Sequence, residues 1–449
     1  MKKLIAVLLL IFISVSFAAC VSPSETVERS PSIPTETEDE KLTGGAKAII
    51  FVHGILGGQL YNEETGQNIW DFFSGDIEDC QNYDNLKEAL RNEIENNSVN
   101  FIKLIADVMD GNSESILVQM LSDEDGDPLY PTTTGYPDSD TRRRYGGFSA
   151  YKGAVTNLEE KYSKDYVVKF FNYNWLVDLK QAAEKLEEFI NENNFTEVVL
   201  ISHSMGGLVT SRYLAKAENR RRIDKNIILF SPLYGSYYAI QALENENYFT
   251  GYLDFIKGLV DILPLGNIGV AISNIVDRIK QSELSDLISN STTVYQLLPS
   301  PELLELFPDA VRMDGESVSS KDLYAFYEGR PWALKEDGDV KGTLEKYYRL
   351  REDLYVDVNG EKVFASELVD SYYVGGINHS TAYSAYYDDK LSLIDTRDGD
   401  GTVLFYSATL GKEADGEHVF AVDCGHSAAT DLEGELQRIV FSIIDKDLK

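Results

Sequence analysis

Positive charge is scarce in this chain: 41 Lys and Arg stand against 74 Asp and Glu, a net charge of −33 over 449 residues. Polyanion binding needs Lys and Arg gathered into patches, so nucleic acid is excluded as a partner. The one short basic cluster, Arg142-Arg143-Arg144, reads as a solvated loop. Cysteine is rare too, with three in all, and no spacing among them suggests a metal site. The N-terminal apolar run, Leu4 to Ile13, falls far short of the roughly 20 residues that span a bilayer. No internal repeat, no Gly-rich loop ending in G-K-[ST] and no EF-hand spacing is present. Histidine occurs only five times, so each one can be weighed as a catalytic base.

The first residues read as a signal. Lys2 and Lys3 precede the apolar run, and Ser16-Phe17-Ala18-Ala19-Cys20 ends it with small residues. Residues 1–19 are therefore expected to be a signal peptide of the lipoprotein type. The cysteine after two alanines resembles a bacterial lipobox, with Phe17 where a smaller aliphatic residue is usual. Cleavage after Ala19 would leave Cys20 for lipidation. Each buried acyl CH₂ contributes about 0.8 kcal/mol, enough in several chains for a stable membrane anchor. The alternative is an ordinary secretory signal cleaved near Ala18 or Ala19. Residues 20–45 follow as a disordered linker, rich in Ser, Thr, Pro and Glu and without apolar periodicity. Cys80 and Cys424 would face an oxidising compartment, where a disulfide between them is one option.

Hydrophobic residues make up 43% of the chain, enough for a sizeable core in one large α/β domain with insertions over 46–449. Order begins at Ala48–Val52, a continuous apolar run of the kind buried on both faces of a parallel sheet. Val167–Phe171 is a second strand. A helix is predicted over about 178–192, with Leu179, Ala182, Ala183, Leu186, Phe189 and Ile190 on one face. Strand Glu197–Ser202, a helix from Met205 and strand Asn226–Phe230 continue the alternation of a parallel sheet. Tyr372–Val374 and His418–Val422 add two strands. An amphipathic helix carrying Leu432, Leu436, Ile439, Val440, Ile443 and Ile444 closes the chain. Two stretches fall outside this rhythm. Residues 59–150 read as a polar insertion, and about 235–370 as a helical cap.

The chemistry centres on Ser202-His203-Ser204-Met205-Gly206, close to the G-x-S-x-G nucleophile elbow. That turn between strand and helix needs small residues two before and two after the serine. Gly206 meets this, and Ser202, still small, replaces the first glycine. A serine needs a neutral imidazole as base and a carboxylate to orient it. His426 sits in a loop just after a strand (HVFAVDCGHS), and is assigned as base; His418, at a strand start, reads as a surface histidine. The acid is expected in Asp398-Gly399-Asp400-Gly401, with Asp400 ahead of Asp398. D-G-D recurs at 125–127 and 337–339, so the tripeptide alone is not specific. The oxyanion donors are expected to be the backbone N–H groups of Ile55, in Val52-His53-Gly54-Ile55-Leu56-Gly57-Gly58, and of Met205.

The segments FVHGILGGQL, NIWDFF, FFNYNW, SHSMGGLV, SPLYGS, VYQLLPS, DGDGTV and CGHSA, in this order, resemble the lecithin:cholesterol acyltransferase-like lipases of the α/β-hydrolase superfamily. The resemblance spans roughly 48 to 445, with unmatched stretches. It implies an α/β-hydrolase fold with nucleophile Ser204, acid Asp400, base His426 and oxyanion amides Ile55 and Met205. His53 replaces the proline of the family's oxyanion loop and Gly58 its serine. The family's Tyr-Asp-Trp becomes Tyr173-Asn174-Trp175. In the cap region, apolar residues such as Ile256, Leu259, Val260 and Ile268 read as cap packing or an acyl tunnel. The expectation is an exported, lipid-anchored serine hydrolase acting on carboxylic esters, with no cofactor and no metal. The alternatives are an acyl esterase on polysaccharide or polyester, and a non-catalytic surface binding lipoprotein.

Overall fold

The protein is described by a computed structural model over residues 45–66, 68–70, 118–134, 145–147, 150–244, 290–388 and 391–447. The expected signal peptide, Cys20, the linker through residue 44, Cys80, Arg142–Arg144 and the apolar stretch 256–272 lie outside these residues.

Six parallel strands form the central sheet: β1 (Ala46–Val52), β2 (Val167–Phe171), β3 (Phe195–His203), β4 (Ile223–Leu229), β5 (Ser371–Gly376) and β6 (Val419–Val422). Their order across the sheet is β6-β5-β4-β3-β1-β2, every pair parallel. The chain goes outward from β1 to β2, returns past β1 to β3, and then builds the other side. The direction reverses between β1 and β3. In an open parallel sheet, the ends of the two strands at such a reversal diverge into a crevice.

Both faces of the sheet are covered. Ala48, Ile50, Val52, Val198 and Leu200 pack with helices α2 (Leu179–Glu192) and α3 (Gly206–Leu214). Ile49, Phe51, Val199 and Ile201 pack on the opposite face with α1 (Lys152–Tyr162) and α4 (Gly434–Ile444). Neighbouring residues of one strand thus serve opposite cores, which is why β1 and β3 are apolar without interruption. Helix α2 starts where the Asp178 carboxylate accepts the Lys180 N–H, and buries Leu179, Ala182, Ala183, Leu186 and Ile190 along one stripe.

Some element ends differ from the expected ones. The helix after Ser204 begins at Gly206, with Met205 as its N-cap. Strand β4 starts at Ile223 and stops at Leu229, because Phe230 turns to φ +54°. The last helix starts at Gly434. Leu432, at φ +52°, ends a short helix over Ala428–Asp431 yet still packs in the same core.

The cap region is not purely helical. Helices Tyr237–Glu244, Thr292–Gln296, Pro301–Leu306, Leu323–Glu328 and Gly342–Asp353 are joined by a four-stranded sheet of Leu391–Gly399, His379–Tyr387, Val311–Met313 and Glu316–Ser317. Two of those strands lie beyond the boundary expected at 370. Ala382, Ala385 and Tyr387 of this hairpin bury against Tyr237, Tyr327 and Trp332 in a third core. In the expected insertion, Leu60–Asn62 pairs with Asn68–Trp70 and Thr132–Thr133, and Leu60 and Tyr61 are buried. Part of that insertion is therefore sheet. Among the described residues no helix is long and apolar enough to cross a membrane. The parallel sheet, its two helical layers and the strand-to-helix turn after β3 make this an α/β-hydrolase fold.

Leu186 is fully buried, so Leu186→Ala is expected to lower unfolding free energy by about 2–5 kcal/mol in urea titration. Glu188, ion-paired with Lys185 at the surface, should change it by less than about 0.5 kcal/mol when replaced by Ala. Equal effects would show that α2 does not pack as described.

Candidate active site

Strand β3 runs directly into α3, and Ser204 sits at the turn with φ +55°. For a residue with a Cβ this left-handed backbone costs roughly 1–3 kcal/mol, and surrounding structure must hold it. Four observations show how it is held. The Ser204 N–H donates to Leu229 O at 2.9 Å. The Ser204 carbonyl accepts from Gly207 N–H at 3.0 Å and from Ser231 Oγ at 2.5 Å. A Cβ at Gly206 would come within 2.5 Å of Val52 O and 2.6 Å of His53 O, so only glycine allows α3 to start this close to β1. Ser202, in place of the usual glycine, is fully buried, and its Oγ accepts from Thr210 Oγ1 at 3.4 Å.

Three loops, each following a sheet strand or the cap hairpin, meet at this turn. Ser204 Oγ lies 2.9 Å from His426 Nε2, and His426 Nδ1 lies 2.7 Å from Asp400 Oδ2. All three residues are buried. The other oxygen of Asp400 accepts the N–H groups of Thr402 at 2.8 Å and Val403 at 2.7 Å. Its orientation is thus set by its own turn, leaving Oδ2 for the imidazole. The His426 N–H donates to Asp400 O at 2.9 Å, which ties the loop after β6 to the loop after the hairpin. Asp398 stays on the hairpin opposite Ser380, exposed. His418 lies at the far end of β6, stacked on Tyr372.

Ile55 belongs to the loop after β1. Gly54 packs on the serine so closely that a Cβ there would meet Ser204 Cβ at 2.7 Å. Among the described residues neither the Ile55 nor the Met205 N–H donates a hydrogen bond. His53 shapes this loop from beneath. Its ring stacks on Tyr173 at 4.0 Å between centroids. Nδ1–H donates to Gly54 O at 2.6 Å, and Nε2 accepts the Tyr173 N–H at 3.2 Å. Tyr173 Oη donates to His53 O at 2.9 Å, and Trp175 Nε1 to Gly58 O at 3.0 Å. Asn174 caps this turn, accepting Leu176 N–H and donating to Thr132 Oγ1. Sequence reasoning left out His53, His203, Tyr151 and Tyr173 from the site. The available signal was a polar ring at the end of each of two apolar strands.

Burial sets the charge of two of these histidines. Desolvation pushes His53 down to about 3, against modest opposition from its backbone hydrogen bonds. Desolvation, reinforced by the neighbouring His426, holds His203 well below an ordinary histidine. Both rings are neutral in the folded protein. Cys424, two residues before His426, carries a half-buried thiol, unpaired among the described residues, that burial pushes up to about 12.

Set beside known proteins, residues 142–253 match the family model described as lecithin:cholesterol acyltransferase. The match contains Ser204 and the strands and helices around it. The chain has an α/β-hydrolase fold, and its stretch around Ser204 resembles the lecithin:cholesterol acyltransferase family. No curated protein matches the chain. Among solved structures it is similar to the Tle4–Tli4 complex at 15% identity and TM-score 0.49, over 90% of this chain and 99% of that one. It is similar to the mature lipase BlEst2 of Bacillus licheniformis at 14% identity and TM-score 0.31, over 91% and 95%. Phospholipase PlaB from Legionella pneumophila is similar at 11% identity and TM-score 0.22, over 78% of this chain and 50% of that one.

The buried neutral histidines make stability depend on pH. An unfolded histidine takes up a proton near 6.5, whereas folded His53 resists protonation until about 3. Below 6.5 the unfolded chain therefore binds more protons, and stability falls as pH drops. Each such histidine adds a slope of about 1.4 kcal/mol per pH unit. In urea titrations between pH 6 and 4, His53→Gln is expected to flatten the slope by about that amount; an unaltered slope would mean that His53 is not buried neutral.

Proposed function

We propose that this protein is an exported serine ester hydrolase of the lipase, phospholipase or acyltransferase kind. The observation that carries the reading is the unbroken chain from Asp400 Oδ2 through His426 to Ser204 Oγ, at 2.7 and 2.9 Å. His426 Nε2 takes the Ser204 proton as Oγ attacks the ester carbonyl. The Ile55 and Met205 amides, the first beside Gly54 and the second at the start of α3, receive the negative oxygen. His426 then returns the proton from Nε2 to the leaving alcohol. Water or a second alcohol, deprotonated by the same nitrogen, resolves the acyl-enzyme, giving hydrolysis or acyl transfer. Asp400 holds Nδ1–H throughout and steadies the imidazolium.

Lipid esters are the substrate class favoured by the family resemblance around Ser204. Acylated polysaccharide or polyester is the alternative. The N-terminal Lys2-Lys3, apolar run and Cys20 support export and anchoring as a lipoprotein.

Ser204→Ala should remove p-nitrophenyl ester turnover, and Asp400→Asn should cut kcat by roughly three to four orders of magnitude, both with the wild-type melting temperature nearly kept. Undiminished turnover in Ser204→Ala would end the proposal. A lipase should prefer long acyl chains to acetate, and the reverse preference would favour the polysaccharide esterase. In a bacterial host, Cys20→Ser should move the protein from the membrane fraction to the soluble one. Membrane retention by that variant would rule out the lipid anchor.

A further inference from the structure

The mechanism above leaves two buried titratable side chains beside the triad without a task, His203 and Tyr151. His203 precedes Ser204 and is 5% exposed, its ring 4.8 Å from that of His426. Its Nε2 lies 3.0 Å from the backbone oxygen of His426. Its Nδ1 lies 2.8 Å from Tyr151 Oη, and Tyr151 Oη lies 3.1 Å from the Gly54 N–H. Tyr151 is itself pinned, its ring packed against Phe51, Phe170 and the edge of His203.

The direction of every bond in this chain is forced. A carbonyl oxygen only accepts, so the proton of neutral His203 must sit on Nε2 and point at His426 O. Nδ1 is then a lone pair and must accept from Tyr151 O–H. The Tyr151 oxygen, its hydrogen spent, keeps lone pairs for the Gly54 N–H. We propose that Tyr151 and His203 form a positioning relay that locks the oxyanion loop after β1 to the backbone of the base loop after β6. It fixes the spacing between the residue that takes the Ser204 proton and the amide that receives the oxyanion. His426 is then held from both sides, its N–H by Asp400 O and its C=O by His203. Gly54 is likewise held at both ends, its N–H by Tyr151 and its C=O by His53 Nδ1 and the Gly57 N–H.

Neutrality is part of the arrangement. A protonated His203 would carry hydrogen on both nitrogens and could not accept from Tyr151, so the relay would break at its middle. Burial holds His203 far below an ordinary histidine, which keeps the ring in the one state that fits. Neither side chain touches the reacting atoms, so loss of the relay should alter how well the triad and the oxyanion amides are aligned, not how substrate is bound. Alignment errors of about 1 Å near a reacting centre cost roughly a hundredfold.

The inference rests on the proposed role of Ser204, and the test separates the two. Steady-state kinetics with p-nitrophenyl butyrate would be measured for wild type, Ser204→Ala, Tyr151→Phe, His203→Phe, His203→Gln and the double variant Tyr151→Phe/His203→Phe. Tyr151→Phe removes a single oxygen and leaves the ring packing in place; melting temperature checks that each variant folds. Tyr151→Phe is expected to lower kcat by about ten- to a hundredfold with KM within about twofold. His203→Gln, neutral and carrying one donor and one acceptor, should recover most of the kcat lost in His203→Phe. The double variant should be no slower than the slower single one, because one relay can be broken only once. Wild-type kcat in Tyr151→Phe, or losses that multiply in the double variant, would overturn the relay while leaving the triad standing. Turnover that survives Ser204→Ala would overturn both.

Discussion

The backbone at Ser204 depends on the close approach of two strand ends. Gly206 lets α3 begin against the carbonyls of Val52 and His53, and Ser204 makes the turn into it at φ +55°. A strained serine of this kind survives only inside a stiff frame. Here the frame is the reversal of winding between β1 and β3, each buried on both faces. The same reversal puts the loop after β1 beside the start of α3, so a backbone amide from each lies near Ser204. The geometry of the site is a consequence of sheet order before it is a consequence of any side chain.

Around this frame the polar groups are arranged so that each has one task. One oxygen of Asp400 is satisfied by its own turn, and the other is free for His426. His53 supports the loop after β1 from below, and His203, through Tyr151, links that loop to the backbone of His426. Three of the five histidines thus gather within one buried cluster, and two of them are kept neutral by desolvation. A dry environment raises the value of every correctly made hydrogen bond and the cost of every missing one. The arrangement therefore favours precise alignment at the expense of tolerance to acid.

Much of the sheet was readable from sequence because its strands are apolar on both faces, as Ala48–Val52 and Val198–Ile201 are. That Ser204, Asp400 and His426 come together was legible because each sits in a short loop after a strand or turn with a glycine within two residues. The hairpin over 379–399 was not readable. Bulges between Thr381 and Ala382 and between Ala382 and Ser384 break its alternation, so its buried residues, Thr381, Ala382, Ser384, Ala385 and Tyr387, carry no period of two. The tasks of His53, His203 and Tyr151 were hidden for another reason. Their partners are one another and backbone atoms up to 223 residues away, and no local pattern marks such pairs.

The central claim is that Ser204 is an activated nucleophile within this fold. The direct test is mass spectrometry of the folded protein, residues 46–449, after exposure to a fluorophosphonate, followed by peptide mapping. The account predicts one adduct per chain, located on Ser204 and lost when His426 is replaced by Ala. No adduct on the folded protein, or an adduct on any other residue with Ser204 untouched, would contradict it.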